Sequence, residues 1–222
     1  MTTAIIGTGG LGSAVARLFA SSGESLQLSS AYARSARTLA AAVGGAAVAA
    51  TDNRSALEGA DAVILALRFT LLKDVIDEIA DALGDKPVIV PSNPVALDAH
   101  SEIVRLLPEG PSSGETVAGW LPAGARLTMA FGTMAADLLR SSSNRSPEPA
   151  VLFYVADDDR GSGEVERLIR AAGFEPMKAG GLDQSSRLEV GGDLHDLVVD
   201  SAEARSLVLD RLPTGTTTKG VA

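Results

Sequence analysis

The sequence predicts an α/β protein built on a doubly wound, mostly parallel sheet. Short apolar runs alternate along the chain with segments whose apolar residues recur at helical spacing, and glycines separate the two. The run from Asp61 to Leu67 is apolar after its first residue, which is typical of a strand buried on both faces of a parallel sheet. Right-handed crossovers are expected to join such strands.

The first strand and the first helix flank a glycine-rich turn. Thr2 to Ile6 leads into Gly7-Thr8-Gly9-Gly10-Leu11-Gly12, and an amphipathic helical pattern follows. This order of strand, Gly-x-Gly-x-x-Gly and helix is typical of a Rossmann-type dinucleotide site rather than of a turn that binds nothing. Gly7 permits the sharp turn, Gly9 the approach of a pyrophosphate and Gly12 close packing of helix on strand. Free N–H groups of the helix are then expected to bind the phosphates.

The second predicted strand, Ser25 to Ser29, ends where the adenosine ribose of a dinucleotide lies. NAD-specific sites usually carry Asp or Glu there, but this chain has no carboxylate at that place. Hydroxyls and guanidinium groups accept a 2′-phosphate, with charge-assisted contacts of about 1.5–3 kcal/mol each. We therefore predict NADP(H), contacted by Ser29, Ser30, Tyr32, Arg34 and Arg37. The alternative is that both arginines are solvated helix residues and that Tyr32 covers a helix end.

The middle of the chain continues the alternation through a sixth strand. A capping-box pattern at Ser112 and Glu115 marks the start of one of its helices. The expected elements are a helix at Ser35 to Val43, a strand at Ala46 to Ala49, a capped turn at Asn53 to Glu58, a strand at Asp61 to Leu67, a helix at Leu71 to Leu83, a strand at Pro87 to Val90, a helix at Ser113 to Leu121 and a strand at Arg126 to Phe131.

A polar, proline-containing stretch from Arg140 to Pro149 predicts a linker. We therefore expect an NADP(H)-binding domain at residues 1–140, a linker at 141–149 and a small C-terminal α/β domain at 150–222 that closes the cleft. The expected C-terminal elements are a strand at Val151 to Val155, a helix at Gly163 to Ala172, a strand at Phe174 to Met177, a helix at Ser201 to Leu212 and a frayed end at Pro213 to Ala222.

Ligands of an open parallel sheet bind beyond the carboxyl ends of its strands. Leu67, Arg68 and Phe69 follow the fourth strand, where the ribose and nicotinamide normally lie, although Arg68 is equally explained as an exposed loop residue. Asn93 follows the fifth strand, and Pro94 keeps its backbone extended. Its amide can orient the nicotinamide carboxamide, or it can close a turn through its own backbone.

Hydride transfer requires no side-chain nucleophile, because the coenzyme carries the reaction. If a proton also moves, His195 is the titratable group to test, since histidine exchanges protons near neutral pH. Its position after Gly191 and Gly192 suggests a mobile flap. The alternative is an exposed helical histidine without a role, because no spacing connects it to the coenzyme.

Composition excludes several classes of function. The 222 residues contain no cysteine and two histidines, so a disulfide, a thiolate metal site and a histidine metal cluster are all excluded. A net charge of −9 argues against a nucleic-acid partner, which requires a basic face. No apolar run reaches the length of a membrane span, and polar threonines and the first strand follow Met1 directly. We therefore expect a cytoplasmic protein that acts on a small-molecule acceptor.

Six motifs occur in order along nearly the whole chain. They are Gly7-Thr8-Gly9-x-Leu11-Gly12, Ala60 to Ala66, Ser92-Asn93-Pro94, Leu121-Pro122-x-Gly124-Ala125, Ala130-Phe131-x-Thr133-Met134 and Ala172-Gly173-Phe174-x-Pro176. Together they resemble the NADP oxidoreductases that use the deazaflavin coenzyme F420. The resemblance implies NADPH on the N-terminal domain, the deazaflavin in the cleft, and direct hydride transfer between the two rings. It also implies Thr8 and Met134 beside the rings, Ser30 near the 2′-phosphate, and a homodimer.

Three positions depart from that family's pattern. Ala31 stands where an Arg often follows the serine, Gly132 stands where Asn or His is usual, and the region from Gly191 onward does not match. The leading hypothesis is an NADPH-dependent oxidoreductase with a deazaflavin or flavin-like acceptor. One alternative is a reductase of a small imine or carbonyl, in which His195 or Asn93 engages the substrate. Another is an NADPH-sensing module that reports to a protein partner.

Overall fold

The computed structural model describes residues 1–209, apart from the side chains of residues 159–161. Ten strands and seven α-helices follow in chain order within that range. The strands are β1 (Thr2–Ile6), β2 (Ser25–Ser29), β3 (Ala47–Ala49), β4 (Ala62–Leu65), β5 (Pro87–Val90), β6 (Val95–Leu97), β7 (Ile103–Arg105), β8 (Arg126–Ala130), β9 (Val151–Val155) and β10 (Glu175–Gly180). The helices are α1 (Gly10–Ser21), α2 (Ala33–Val43), α3 (Phe69–Leu83), α4 (Ser113–Ala118), α5 (Ala136–Ser142), α6 (Asp159–Ala171) and α7 (Ser201–Leu209). Short 3₁₀ turns occur at Ser55–Leu57 and Leu182–Arg187.

Eight strands form one sheet in the order β10-β9-β8-β5-β4-β1-β2-β3. β1 lies between β2 and β4 and is parallel to both, with Ile5 opposite Leu28 on one side and Ile64 on the other. All three side chains are fully buried. The chain therefore winds outward in both directions from β1, which confirms the predicted doubly wound α/β sheet.

Helices cover both faces of this sheet. α1, α2, α5 and α6 pack on one face, where Phe19 of α1 meets Phe131 edge to face at 5.8 Å. α3, α4 and α7 cover the other face, and the buried residues of α3 recur there at helical spacing: Leu72, Ile76, Ile79 and Leu83. Two apolar cores result, one on each side of the sheet.

Several element boundaries differ from the sequence predictions. α2 and α3 each begin two residues earlier than expected, and α4 ends three residues earlier. The antiparallel hairpin formed by β6 and β7 was not predicted, and neither was α5. The end of the predicted last helix, up to Leu212, and the tail from Pro213 to Ala222 lie outside the described residues.

The predicted separate C-terminal domain requires correction. β9 pairs antiparallel with β8, with Met129 opposite Val155 and Ala130 opposite Tyr154, and β10 then pairs with β9. Residues 143–150 connect α5 to β9 without helix or strand, as a linker would. The strands beyond this connection extend the first sheet because their backbone groups pair with its edge. Both apolar cores accordingly combine residues from before and after the predicted linker.

Among residues 1–209, no helix combines the length and the apolar character that crossing a membrane requires.

Candidate functional site

The glycines of the first turn have two different surroundings. Gly7 has φ of +107°, and a methyl group there would lie 2.2 Å from the carbonyl oxygen of Ala66. A methyl group at Gly12 would lie 2.0 Å from the carbonyl oxygen of Gly7. At Gly9 it would meet no described atom within 4 Å. Gly7 and Gly12 therefore permit the packing of the chain on itself, whereas Gly9 leaves open space for an approaching group.

The open space at Gly9 lies at the start of α1. Gly9 is the N-cap residue, and among the described residues no side chain caps this end of the helix. Gly10, Leu11 and Gly12 form the first turn, which contains no acidic residue. Free N–H groups and the positive end of the helix dipole make this position suitable for a phosphate.

The end of β2 presents fewer free groups than the sequence predicted. Ser29 is buried, and its hydroxyl donates to Oδ1 of Asn53 at 2.7 Å. Asn53 in turn donates to the carboxylate of Glu78 at 3.1 Å. The donor of the Ser29 hydroxyl is thus used within the protein, and its predicted contact with the coenzyme stays a prediction. Ser30 is half-buried, and Tyr32 is 76% exposed.

A groove of about 340 Å³ runs between α1 and α2 beside the glycine turn. Of the two predicted cations, Arg34 lines this groove, whereas Arg37 is exposed and is not among the lining residues. Arg17 of α1 also lines the groove, and the sequence reasoning missed it. Its position four residues after Ser13, on the same helix face, was the available signal. The lining is Thr8, Ser13, Arg17, Arg34, Ser35, Thr38, Leu39 and Ala42.

The loop after β4 combines one exposed and one buried residue. Arg68 is exposed and is the N-cap residue of α3, and Leu67 is half-buried. Phe69 is buried with its ring 5.5 Å from that of Trp120. The side chain of Phe69 belongs to the core, and its predicted contact with the coenzyme stays a prediction. Ser92 fixes the loop by donating to the carbonyl oxygen of Leu67 at 2.6 Å.

Asn93 joins three segments through its side chain. Its Nδ2 donates to the carbonyl oxygen of Gly132 at 2.8 Å, and its Oδ1 accepts the N–H of Val190 at 2.8 Å. Pro94 is buried beside it. Asn93 therefore holds the loops that contain Gly132 and Val190 in place. One N–H of its Nδ2 has no partner among the described residues, and the orientation of the nicotinamide carboxamide by this amide stays a prediction.

A small cavity of about 20 Å³ lies at the carboxyl ends of β5 and β8. Thr133 lines it, is 1% exposed, and its hydroxyl has no partner among the described residues. Glu189 lines it as well, accepts the N–H of Ser113 at 2.9 Å and forms an ion pair with Arg105. Met134, predicted beside the rings, is buried next to this loop. The cavity therefore offers an unused hydroxyl at the edge of the sheet where ligands bind.

The backbone before Thr133 is unusual. Phe131 is fully buried and has φ of +66°, a conformation that a bulky side chain rarely adopts. A side chain at Gly132 would lie 2.2 Å from the carbonyl oxygen of Pro91. Strained backbone of this kind is concentrated at functional sites. The bend at Phe131 and Gly132 fixes the position of Thr133.

His195 lies close to this loop but does not line the cavity. Its Nδ1 is 3.1 Å from the carbonyl oxygen of Leu188, and its Nε2 is 3.5 Å from the carboxylate of Asp196. The N–H of Asp196 donates to the carbonyl oxygen of Thr133 at 2.6 Å. His195 is therefore not on an exposed helix, and both ring nitrogens face protein atoms.

No group of three or more His, Cys, Asp or Glu suited to a metal ion occurs within residues 1–209. A dinucleotide fits the residues present, because the glycine turn leaves open space above a helix start and two cations line the adjoining groove.

Comparisons with known proteins agree with this geometry. The family model described as NADP oxidoreductase, coenzyme F420-dependent, matches residues 2–94. A hypothetical protein of Sinorhizobium meliloti is similar in structure, with a TM-score of 0.79 and 29% identity over 90% of this chain and 95% of that one. No curated protein matches the chain.

Two further solved structures share the fold at lower identity. A candidate F420-dependent NADP reductase of Arthrobacter sp. FB24 gives a TM-score of 0.70 and 18% identity over 81% of this chain and 85% of that one. A reductive aminase of Aspergillus terreus, in complex with NADPH and ethyl levulinate, gives 0.63 and 17% over 86% of this chain and 58% of that one. The family resemblance predicted from the motifs is thus confirmed over residues 2–94, which match the coenzyme F420-dependent NADP oxidoreductases.

Proposed function

We propose that the protein is an NADPH-dependent oxidoreductase that transfers hydride to a deazaflavin or flavin-like acceptor. The observation that carries this proposal is the glycine turn: Gly7 and Gly12 pack closely against backbone, a methyl group at Gly10 would make only an ordinary contact with Ala136, and one at Gly9 would meet open space. No neighbouring atom requires a glycine at position 9, but the absence of a side chain there allows a pyrophosphate to reach the start of α1.

The residues of the chain bind and orient, while the coenzyme supplies the reaction. Bound NADPH donates a hydride, so the acceptor gains two electrons and one proton and NADP⁺ is left. In this proposal the turn around Gly9 holds the pyrophosphate, and Ser30 and Arg34 lie at the adenosine end. Arg68 and the backbone around Leu67 lie along the ribose. Thr8 and Met134 flank the reacting rings.

A deazaflavin acceptor is supported by the family match over residues 2–94 and by the fold of the Arthrobacter protein. In the proposed arrangement the acceptor lies outside the small cavity, over the loop that contains Thr133. His195 is held near that loop through Asp196 and is our candidate for moving a proton.

A homodimer is part of the same proposal. It is supported by the β6–β7 hairpin, on which Leu97 and Ile103 form an exposed apolar pair, 66% and 59% accessible.

A second candidate is reduction of a small imine or carbonyl compound. The observation that favours it is the unpaired, buried hydroxyl of Thr133 in a cavity that admits only a small group. Such a hydroxyl can donate to the nitrogen or oxygen of a small substrate beside the coenzyme. The fold shared with the reductive aminase is consistent with this chemistry.

The test is anaerobic mixing of the purified protein with NADPH and one acceptor at a time, followed by the nicotinamide absorbance. Oxidation with F420, FMN or FAD supports the leading proposal, whereas oxidation only with cyclic imines or carbonyl compounds supports the second. Tight NADPH binding without oxidation by any of them contradicts both and favours an NADPH-sensing module.

Matched variants separate the two acceptors. If the acceptor is a small imine, Thr133→Val should lower kcat about tenfold or more, Thr133→Ser should retain turnover, and NADPH affinity should stay the same. With a deazaflavin acceptor outside the cavity, both Thr133 variants should retain turnover.

His195→Ala tests the proposed proton transfer. It should lower turnover without weakening NADPH binding if the histidine moves a proton, and unchanged turnover would exclude that role.

A further inference from the structure

We propose that Arg17 of α1 binds the 2′-phosphate of NADPH together with Arg34 of α2, and thereby selects NADPH over NADH. This inference rests on the proposed function, because it assumes that the dinucleotide occupies the glycine turn. It assigns coenzyme selection to a helix that follows the glycine turn, whereas the sequence suggested only residues that follow β2.

The composition of the groove between α1 and α2 suits a phosphate. Two guanidinium groups line it, and so do the hydroxyl residues Thr8, Ser13, Ser35 and Thr38, whereas no carboxylate is among the lining residues. The first turns of both helices also lack acidic residues. A groove of this composition is unusual in a chain with a net charge of −9. Guanidinium groups bind phosphate through paired N–H groups, which makes them specific for such an anion.

Arg17 and Arg34 are free to bind a ligand. Both are exposed, and neither forms an ion pair or side-chain hydrogen bond within residues 1–209. Other arginines of the chain are held by carboxylates: Arg54 by Asp81, Arg105 by Glu189, Arg167 by Glu24 and Arg187 by Asp193. The side-chain N–H donors of Arg17 and Arg34 are therefore available to hydrogen-bond an anion.

The groove adjoins the place where the coenzyme's phosphates begin. Thr8 lies in the glycine turn and also lines the groove, and its carbonyl oxygen accepts the hydroxyl of Ser13 at 3.0 Å. Arg34 and Ser35 reach the groove from the start of α2, directly after the end of β2. A dinucleotide that lies across the turn with its adenosine at the end of β2 therefore brings its 2′-phosphate to this groove.

Arg37 provides a matched control. The sequence also predicted a contact between Arg37 and the coenzyme. Arg37 belongs to the same helix as Arg34, is likewise exposed and carries the same charge, but it does not line the groove, so the inference requires that it make no such contact. A general effect of net charge on an anionic coenzyme affects Arg17 and Arg37 alike, whereas a direct contact involves Arg17 alone.

The experiment is calorimetric titration of wild type, Arg17→Gln, Arg34→Gln and Arg37→Gln with NADPH and with NADH. Arg17→Gln and Arg34→Gln should each weaken NADPH binding about tenfold or more while NADH binding changes less than about twofold. Arg37→Gln should change neither by more than about twofold. Titration with adenosine 2′,5′-bisphosphate and with AMP should show the same contrast without the nicotinamide.

The outcomes distinguish this inference from the proposed function. If wild type prefers NADPH and Arg17→Gln retains that preference, or loses affinity equally for both coenzymes, the assignment of Arg17 is wrong and the proposed function stands. If wild type prefers NADH, the assignment is wrong as well. If wild type binds neither coenzyme, the proposed function fails and the inference fails with it. Circular dichroism of each variant checks that the fold is retained.

Discussion

At the scale of single residues, the glycine turn separates the requirements of folding from those of binding. Gly7 and Gly12 have backbone oxygens within 2.2 Å of where a methyl group would lie, so any side chain forces the backbone to move. Gly9 has φ of −70°, which every residue adopts, and open space beside it. The proposed function therefore gives the same residue type two unrelated roles within one turn.

Alanine substitutions at Gly12 and Gly9 test whether the first glycine serves folding and the second serves binding. Gly12→Ala should destabilise the protein by about 3 kcal/mol or more, because the new methyl group meets backbone rather than a movable side chain. Gly9→Ala should change the free energy of unfolding by less than about 0.5 kcal/mol, yet weaken NADPH binding at least about tenfold. Urea denaturation and calorimetric titration measure the two quantities. Unchanged NADPH affinity in Gly9→Ala would exclude a pyrophosphate from the turn.

Single residues also show where sequence reasoning is limited. The motif predicted the glycines because strand, turn and helix follow one another in the chain, although the close contact of Gly7 is with the distant Ala66. It did not predict that Ser29 and Asn93 are hydrogen-bonded within the protein, or that Phe69 packs on Trp120. Their partners are distant in sequence, so local spacing contains no information about them.

At the scale of elements, helix ends are fixed by particular side chains. At α4, Ser112 accepts the N–H of Glu115, and Glu115 accepts the N–H of Ser112, which is the predicted capping box. At α7, the carboxylate of Asp200 accepts the N–H groups of Ala202 and Glu203 at 2.9 and 3.0 Å. These backbone hydrogen bonds, chiefly that from Glu203, lower the pKa of Asp200 below its ordinary value of 3.8.

The lowered pKa gives the cap at α7 a defined pH dependence. Because the folded state favours the ionised carboxylate, the stabilisation is complete above about pH 4 and is lost as the pH falls through the lowered pKa. Asp200→Ala should therefore lower Tm at neutral pH, and its difference from wild type should shrink at acidic pH. Asp200→Asn retains the acceptor oxygen and should unfold close to wild type at neutral pH. A pH-independent difference for Asp200→Ala, measured by thermal melts, would contradict this account.

The hairpin of β6 and β7 is an element that the sequence reasoning did not find. Each strand has three residues, which is too short for a pattern of alternating polar and apolar side chains. The ion pair from Arg105 of β7 to the buried Glu189 holds the hairpin against the segment that lines the small cavity. Its position thus depends on a contact across 84 residues of sequence.

At the scale of the whole molecule, the sheet joins the two parts that the sequence predicted as domains. β8 and β9 are paired, and Arg167 of α6 donates to Glu24, between α1 and β2, and to Glu164. The hydrogen bond with Glu24, and after it the hydrogen bond with Glu164 and the charges of both carboxylates, raise the pKa of Arg167 above its ordinary value. The C-terminal strands are therefore held by backbone pairing, by shared cores and by an ion pair.

Continuity of the sheet predicts cooperative unfolding. Differential scanning calorimetry should show one transition whose calorimetric and van't Hoff enthalpies agree, because separating β9 from β8 exposes apolar side chains of both cores. Two resolved transitions would instead support an independent C-terminal domain.

The sequence by itself determined the α/β class, the central strands and the glycine turn, because each depends on local periodicity or on neighbouring residues. Only the tertiary structure decided that β9 joins β8 in one sheet, that Arg17 rather than Arg37 lines the groove, and that the hydroxyl of Thr133 is buried without a partner. These features depend on which distant segments meet. Backbone pairing and side-chain packing across the whole chain determine those contacts.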